Sequence, residues 1–442
     1  MPSFGEKRQK GISNMDRSKL KNYDSMWRAI EERIGGELGR RTVEALHELY
    51  AVYDDRLIEW QASLYDPEVG GWYFSKSGQA NEGFLPDVES TIAALGFWEE
   101  SGMLGDKSFF EATPDWLRRR IGEFVYPLQD EDGYFYHPQW GKNIGALRKS
   151  RDLGTGIRLL RVAGLSPKYP TPTSSAKSEE LSLELAPERF KSVENYEKYL
   201  DTELDFVNKA YVAGSHLSSG IGEIIAYGKL LGCDLVELIV KRLDKAQNRD
   251  TGLWHPELCY DGTNAVHKCS KIYNWTGRRM EMVDKMIEST MKVILSVEQS
   301  GSAVSLMNIW YVLGSLLENK RKFGHPDEMS YEEAVRRIRE FAPEGILATA
   351  RQMTAFKAPD GGMSAGIEHC QTSVYGSPTS MPGSNEGDVN GSACASSALV
   401  KGVYYGLDIP ELKVPLYSEE DFKKYVSILE AREERWRRYG EK

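Results

Sequence analysis

The sequence predicts an all-α protein with a single main domain: six helical hairpins closed into a double ring, an (α/α)6 toroid. Two observations carry that expectation. Helices with one polar face alternate six times with helices rich in Gly, Ala and Ser. Between the members of most pairs stands a glycine turn followed by aromatic residues. Helices alternating in this way pack most simply as two concentric rings. The small-residue helices line the inside, the amphipathic ones cover them, and the turn-plus-aromatic loops gather at one mouth.

In chain order, residues 1–40 read as a polar lead-in with one short helix near 25–37. The toroid is expected over 41–410. From 41 to 65, Val43, Leu46, Leu49, Tyr50, Tyr53, Leu57 and Trp60 follow helical period and predict one long amphipathic helix. A Gly-Gly turn over 66–74 leads into aromatics. Pro86 then opens the first inner helix, 87–101, at its first turn. The second pair is 114–126 and 145–162, joined through the acidic-aromatic stretch 129–136. The third is 195–210 with 214–231, and the fourth is 235–246 with the helix that follows Asp250. The fifth is 281–297 with 303–317. The sixth is 331–356, interrupted near Pro343, followed by 388–405. Residues 166–190, rich in Pro, Ser and Lys, read as an exposed insertion. The long Gly/Ser/Pro loop 372–386 reads as a binding lid. Residues 411–442 are expected to form a highly charged surface helix.

The net charge of -10 argues against a general nucleic-acid binder, which needs a concentrated basic face. The N-terminus has no apolar core and no run approaches a membrane span, so a cytoplasmic protein without a membrane partner is expected. The five cysteines show no paired short spacing and read as reduced thiols, not as zinc ligands. No metal or organic cofactor is demanded, and a homodimer is left open.

The functional expectation centres on residues 250–274. Asn264, His267, Lys268 and Lys271 recur at three- and four-residue steps, which places them along one helix face. A stripe of hydrogen-bonding and titratable groups on a helix expected in the core predicts a polar cavity. Trp72, Tyr73, Tyr136, Trp254 and Tyr375 are candidate aromatic contacts at the mouth. His216, His255, Arg151 and Asn390 are candidate polar contacts. For hydrolysis of a sugar chain, one protonated and one ionised carboxyl group are needed. Asp87 and Glu89 at the start of the first inner helix could face Glu386 and Asp388 at the start of the last. For β-elimination from a uronate, His267, His216 or Tyr273 could be the base, with Asn264, Lys268 or Arg151 neutralising the carboxylate. Helix capping and ion pairing are the bland alternatives for Asp87 and Arg151.

The Gly-Gly-aromatic turns before helices (GGWYF then PDVESTIAAL, DEDGYFY, DTGLWHP, PDGGMS) resemble those of glycoside hydrolase and polysaccharide lyase toroids. They are also similar to those of terpenoid cyclases and prenyltransferases. The segment TGLWHP resembles the TGLWY type of segment in unsaturated glucuronyl and rhamnogalacturonyl hydrolases. That likeness implies cleavage of an acidic oligosaccharide, by hydrolysis or elimination. DVESTIAAL resembles the acidic segment of terpenoid cyclases, but Glu89 and Ser90 stand where its later aspartates belong. An isoprenoid-processing enzyme, or a non-catalytic toroid that binds a saccharide or peptide, is the alternative.

Overall fold

A computed structural model of the chain describes residues 22–172, 182–184, 186–324 and 326–440. Residues 1–21 of the lead-in and 173–181 and 185 of the insertion lie outside the described residues. The described chain is mostly helical, as the periodicity requires. Strands are confined to two short antiparallel ladders, Tyr65–Asp66 with Gly71–Trp72 and Ser373–Val374 with Ser377–Pro378.

The helices of the first half are α1 (Asp24–Ile34), α2 (Gly36–Tyr50), α3 (Arg56–Ala62), α4 (Lys76–Ala80), α5 (Val88–Ser101), α6 (Phe109–Ala112), α7 (Asp115–Val125) and α8 (Ala146–Val162). After residues 163–190 come α9 (Val193–Thr202), α10 (Ala210–Ser219), α11 (Ile221–Leu231), α12 (Leu235–Ala246) and α13 (Tyr260–Thr276). The chain then forms α14 (Val283–Ile294), α15 (Ala303–Phe323), α16 (Tyr331–Met353), α17 (Val389–Ala393), α18 (Leu399–Gly406) and α19 (Glu419–Tyr439).

Several expectations about boundaries change; the helix expected over 195–210 ends at Thr202, and that over 303–317 runs on to Phe323. The long helix expected over 41–65 is two helices, because Asp54 folds back to accept the backbone N–H of Arg56 at 3.0 Å. A short acidic side chain competes in this way with helix continuation. The helix expected over 214–231 starts earlier and breaks at Gly220 into α10 and α11. Pro343 sits inside an unbroken α16. The last inner helix contains one π-helical turn, Cys394–Ala398, between α17 and α18.

The small-residue helices form a continuous series: α8 packs on α5, α5 on α17, α18 on α15, α15 on α13, and α13 on α10. Among the described residues no comparable packing joins α8 to α10, the two ends of that series. Amphipathic helices pack on one another, α2 on α16 and α16 on α14, and on the small-residue series, α14 and α16 on α15, α12 on α13 and α7 on α8. Glycine permits a close approach. A Cβ on Gly391 would stand 2.3 Å from the backbone nitrogen of Ala365, so no side chain fits where α17 meets that loop.

The C-terminal helix α19 is more than a charged surface helix. Trp72 donates its indole N–H to the Tyr425 hydroxyl at 3.0 Å. Buried Glu433 accepts from the Tyr65 hydroxyl at 2.6 Å and pairs with Arg120 at 3.1 Å. One face of α19 is therefore part of the core, and its charged residues occupy the other. Among the described residues no helix is long and apolar enough to cross a membrane.

Candidate active site

The four carboxylates expected at the mouth separate into different tasks. Asp87 is buried and caps α5, accepting from the backbone N–H groups of Glu89 and Ser90 at 2.9 and 3.1 Å. It also pairs at 3.2 Å with Arg148, a guanidinium with no exposed surface that bonds Asp152 at 2.9 Å. Asp388 caps α17 from full burial and accepts from Gly391, Ala365 and Gln371 backbone N–H groups at 2.6, 2.8 and 3.1 Å. Burial pushes its carboxyl up to about 6. Glu386 is held by the Ser75 hydroxyl at 3.0 Å, the Ser77 backbone N–H at 2.7 Å and the Ser77 hydroxyl. It ties the loop before α17 to α4. These three acids act through caps and cross-loop bonds, and each of their carboxylate oxygens accepts at least one hydrogen bond from the protein.

Glu89 is the exception. Its carboxylate leaves the helix end, pairs with Arg151 and accepts from Thr155 at 2.9 Å. Tyr375 stands above Arg151, its ring centroid 5.0 Å from the guanidinium carbon. The hairpin Ser373–Pro378 sets that position: Tyr375 and Gly376 both take positive φ, +51° and +85°, as the tightest hairpin turns require. Arg148 also reaches the Val374 carbonyl at 3.4 Å, anchoring the hairpin to the buried ionic cluster.

Asn264, His267 and Lys268 of the α13 stripe meet other helices, and Lys271 lies beside Trp275 of α13 itself. Asn264 donates to the Ser305 hydroxyl at 3.1 Å and accepts from Asn308 at 2.5 Å. Lys268 is half-buried, with its ammonium 5.3 Å from the Tyr211 ring. Burial, then the charges of Lys271 and Arg151, lower it to about 8. Lys271 is half-buried too, and burial lowers it. His267 is buried against the edge of Tyr311, with ring centroids 5.9 Å apart. Burial, then the two lysines, drive the imidazole down to about 2, so it is neutral, and its Nδ1 has no hydrogen-bond partner. Neither lysine forms an ion pair among the described residues, and the charge partnership of Arg151 is with Glu89.

The electrostatic couplings tie these groups into one cluster. Tyr211 of α10 senses Tyr375 and Cys394, and Asn308 lies at its hydroxyl. Tyr375 senses Arg151, Glu89 and Cys394. Cys394, in the π-turn, donates to Asn390 at 3.7 Å, and Asn390 donates to Gln371 at 2.9 Å. Burial, then Asp388 and Glu100, push its thiol up to about 12, so it is a protonated wall residue and not a thiolate nucleophile. The cluster therefore draws on α5, α8, α10, α13, α15, the π-turn and the Tyr375 hairpin. Among the described residues no group of three or more His, Cys, Asp or Glu is arranged to hold a metal ion.

The remaining expected site residues lie elsewhere. Trp72 is fully buried between Tyr65, Trp98 and Tyr425. Tyr73 donates to Asp66 at 2.8 Å from a buried position. Trp254 is buried under its own loop and donates to the Leu243 carbonyl at 2.8 Å. Tyr273 points away from the stripe, to Asp244 of α12 at 2.7 Å, and burial raises its phenol well above the usual range, so it is no base. His255 is occupied by the Glu257 backbone and the Cys259 thiol, the latter at 3.4 Å. His216 is exposed beside Tyr199 of α9, ring centroids 6.2 Å apart. Tyr136 belongs to the 129–136 loop, where it donates to Asp132 at 2.7 Å and lies beneath Lys142 and Lys149. Trp254, His255 and Tyr136 close their own loops, whereas Tyr273 and His216 lie within helices and meet neighbouring ones. Thr155, Tyr211, Asn308, Tyr311, Gln371 and Cys394 escaped the sequence reading. Gln371 lies in a loop; for the others the one linear signal is a polar or aromatic residue on a small-residue helix. Compared with known family models, curated proteins and solved structures, the chain matches none.

Proposed function

We propose that the protein is an enzyme that cleaves an acidic oligosaccharide by β-elimination, in a hollow bounded by six inner helices arranged as an (α/α)6 ring. The helix series from α8 round to α10 supports the ring, and the coupling of Lys268 on α13 to Arg151 on α8 supports its closure across the gap. The observation that carries the function is the charge balance of the cluster. Glu89 offsets Arg151, and Lys268 and Lys271 are left without a counter-ion. Two uncompensated ammonium groups in a half-buried site favour an anionic ligand.

For elimination, the uronate carboxylate must be neutralised so that the neighbouring C–H becomes acidic. Arg151 and Lys271, which both act on Lys268, would take that task. Lys268, weakened to about 8, supplies a fraction of free amine near neutral pH to take the proton. Tyr375 keeps its proton, since burial raises its phenol, and can pass it to the leaving glycosidic oxygen. Hydrolysis is less well served, because Asp87, Glu386 and Asp388 are occupied as caps and cross-links. Carbocation chemistry is opposed by two ammonium groups without a counter-ion. A panel of acidic and neutral oligosaccharides tests the proposal, with reducing ends and absorbance from a new C=C bond read together. Elimination yields both signals on acidic chains. Reducing ends without absorbance would mean hydrolysis, and silence across the panel would return the protein to the isoprenoid or binding alternatives.

A further inference from the structure

Of the ten tryptophans, Trp275 alone is exposed, at 60%. It continues the face of α13 that carries Asn264, Lys268 and Lys271, since positions 264, 268, 271 and 275 follow steps of four, three and four. The contacts run the same way. The Lys271 ammonium lies 5.9 Å from the Trp275 ring, and the charge of Lys271 acts on Lys268. Gly277, at φ +70°, ends α13 just after the ring. The chain then turns back through Arg278, which pairs with Asp234 and Glu237 at the start of α12. This leaves a hollow of about 550 Å³ lined by Trp275 together with Ile225, Lys229, Asp234, Val236 and Arg278, a size that suits a small-molecule ligand. The indole offers a flat apolar face, and Lys229 and the Asp234–Arg278 pair surround it with charge. A pyranose has the matching form, one C–H face and a rim of hydroxyls. An all-apolar partner would instead strip water from those charges without replacing it. Trp275 stands seven residues past Lys268, about 10 Å along the helix axis, which is the length of about two pyranose units in a chain.

Resting on the reading of the substrate as an acidic oligosaccharide, we propose that Trp275 is a stacking platform for a sugar ring about two units away from the one that reacts at Lys268. The hollow beside it then selects for chain length. A disaccharide reacting at Lys268 falls short of Trp275, whereas a tetrasaccharide reaches it.

The test titrates the full chain with digalacturonate and tetragalacturonate by calorimetry, and follows C=C absorbance on both in parallel. The wild type should bind the tetrasaccharide at least about fivefold more tightly than the disaccharide, a gain that one aromatic contact supplies. That ratio should fall toward unity in Trp275→Ala and be kept in Trp275→Tyr. Equal affinity of the wild type for both lengths, or a ratio that survives in Trp275→Ala, overturns the platform. If C=C absorbance is then still formed, the elimination reading stands without it. A length preference that depends on Trp275, with no absorbance, supports the platform and sinks the elimination. Binding of neither length sinks both. An altered elution volume of Trp275→Ala with an unaltered ratio overturns the platform and gives the ring to a protein interface. Unchanged thermal unfolding of the two variants separates a lost contact from a lost fold.

Discussion

Replacing Arg148 by Met is expected to destabilise the protein by about 3–5 kcal/mol at pH 8, the cost of breaking a buried ion pair from one side. Arg148 has no exposed surface and serves Asp152 at 2.9 Å, Asp87 at 3.2 Å and the Val374 carbonyl at 3.4 Å. Methionine fills much of the same volume and leaves two carboxylates in a site closed to water. Even with the guanidinium present, burial pushes Asp152 up to about 6. Without it, the folded-state value rises further above the unfolded value of about 3.9. A carboxyl with a raised folded pKa costs stability as pH climbs from the unfolded value through the folded one. The loss in Arg148→Met should therefore be smaller at pH 5 than at pH 8. Urea unfolding of the wild type, Arg148→Met, Asp152→Asn and the double variant at both pH values measures this. Asp152→Asn in the Arg148→Met background should recover at least about 1 kcal/mol, since groups in one network couple. A single variant within about 1 kcal/mol of the wild type at pH 8, or strict additivity, would refute the buried unit. Asp87 would then return as an available carboxylate at the mouth.

Two further outcomes are expected. Asp388, fully buried and pushed up to about 6, holds its proton more tightly folded than unfolded. Stability should fall as pH rises from about 4 to 6, by up to about 3 kcal/mol from this group, and Asp388→Asn should flatten that part of the pH profile of the unfolding midpoint. The rate of C=C formation should rise with pH through about 8, where burial and the neighbouring charges hold Lys268. Lys271→Gln removes one of those charges and should move the rising limb to higher pH. An unmoved limb would take the proton transfer away from Lys268.

The periodicity along the chain was sufficient to predict helices, their alternation and most of their order, because a helix exposes its buried face at every third or fourth residue. It also found the stripe Asn264, His267, Lys268 and Lys271, whose spacing is a property of one helix. Glu89, Arg151 and Tyr375 were legible as residue types at a mouth, but their mutual contact was not. Capping explains the main misreading. Asp87 and Asp388 have the same local sequence character as catalytic acids at helix starts, and their occupation by backbone N–H groups and Arg148 is visible only in three dimensions. The aromatics after glycine turns were equally ambiguous. Trp72 and Trp254 bury their rings and satisfy their indole N–H groups with partners 353 and 11 residues away, and no local pattern distinguishes such a ring from one that meets a ligand. The chain by itself determined which faces must be hidden. Only tertiary packing decided which polar groups on those faces are neutralised by the protein and which, such as Lys268 and Lys271, have no ion-pair partner among the described residues. The reason is physical: charge compensation acts through space between helices distant in sequence, whereas hydrophobic period is written along each helix alone.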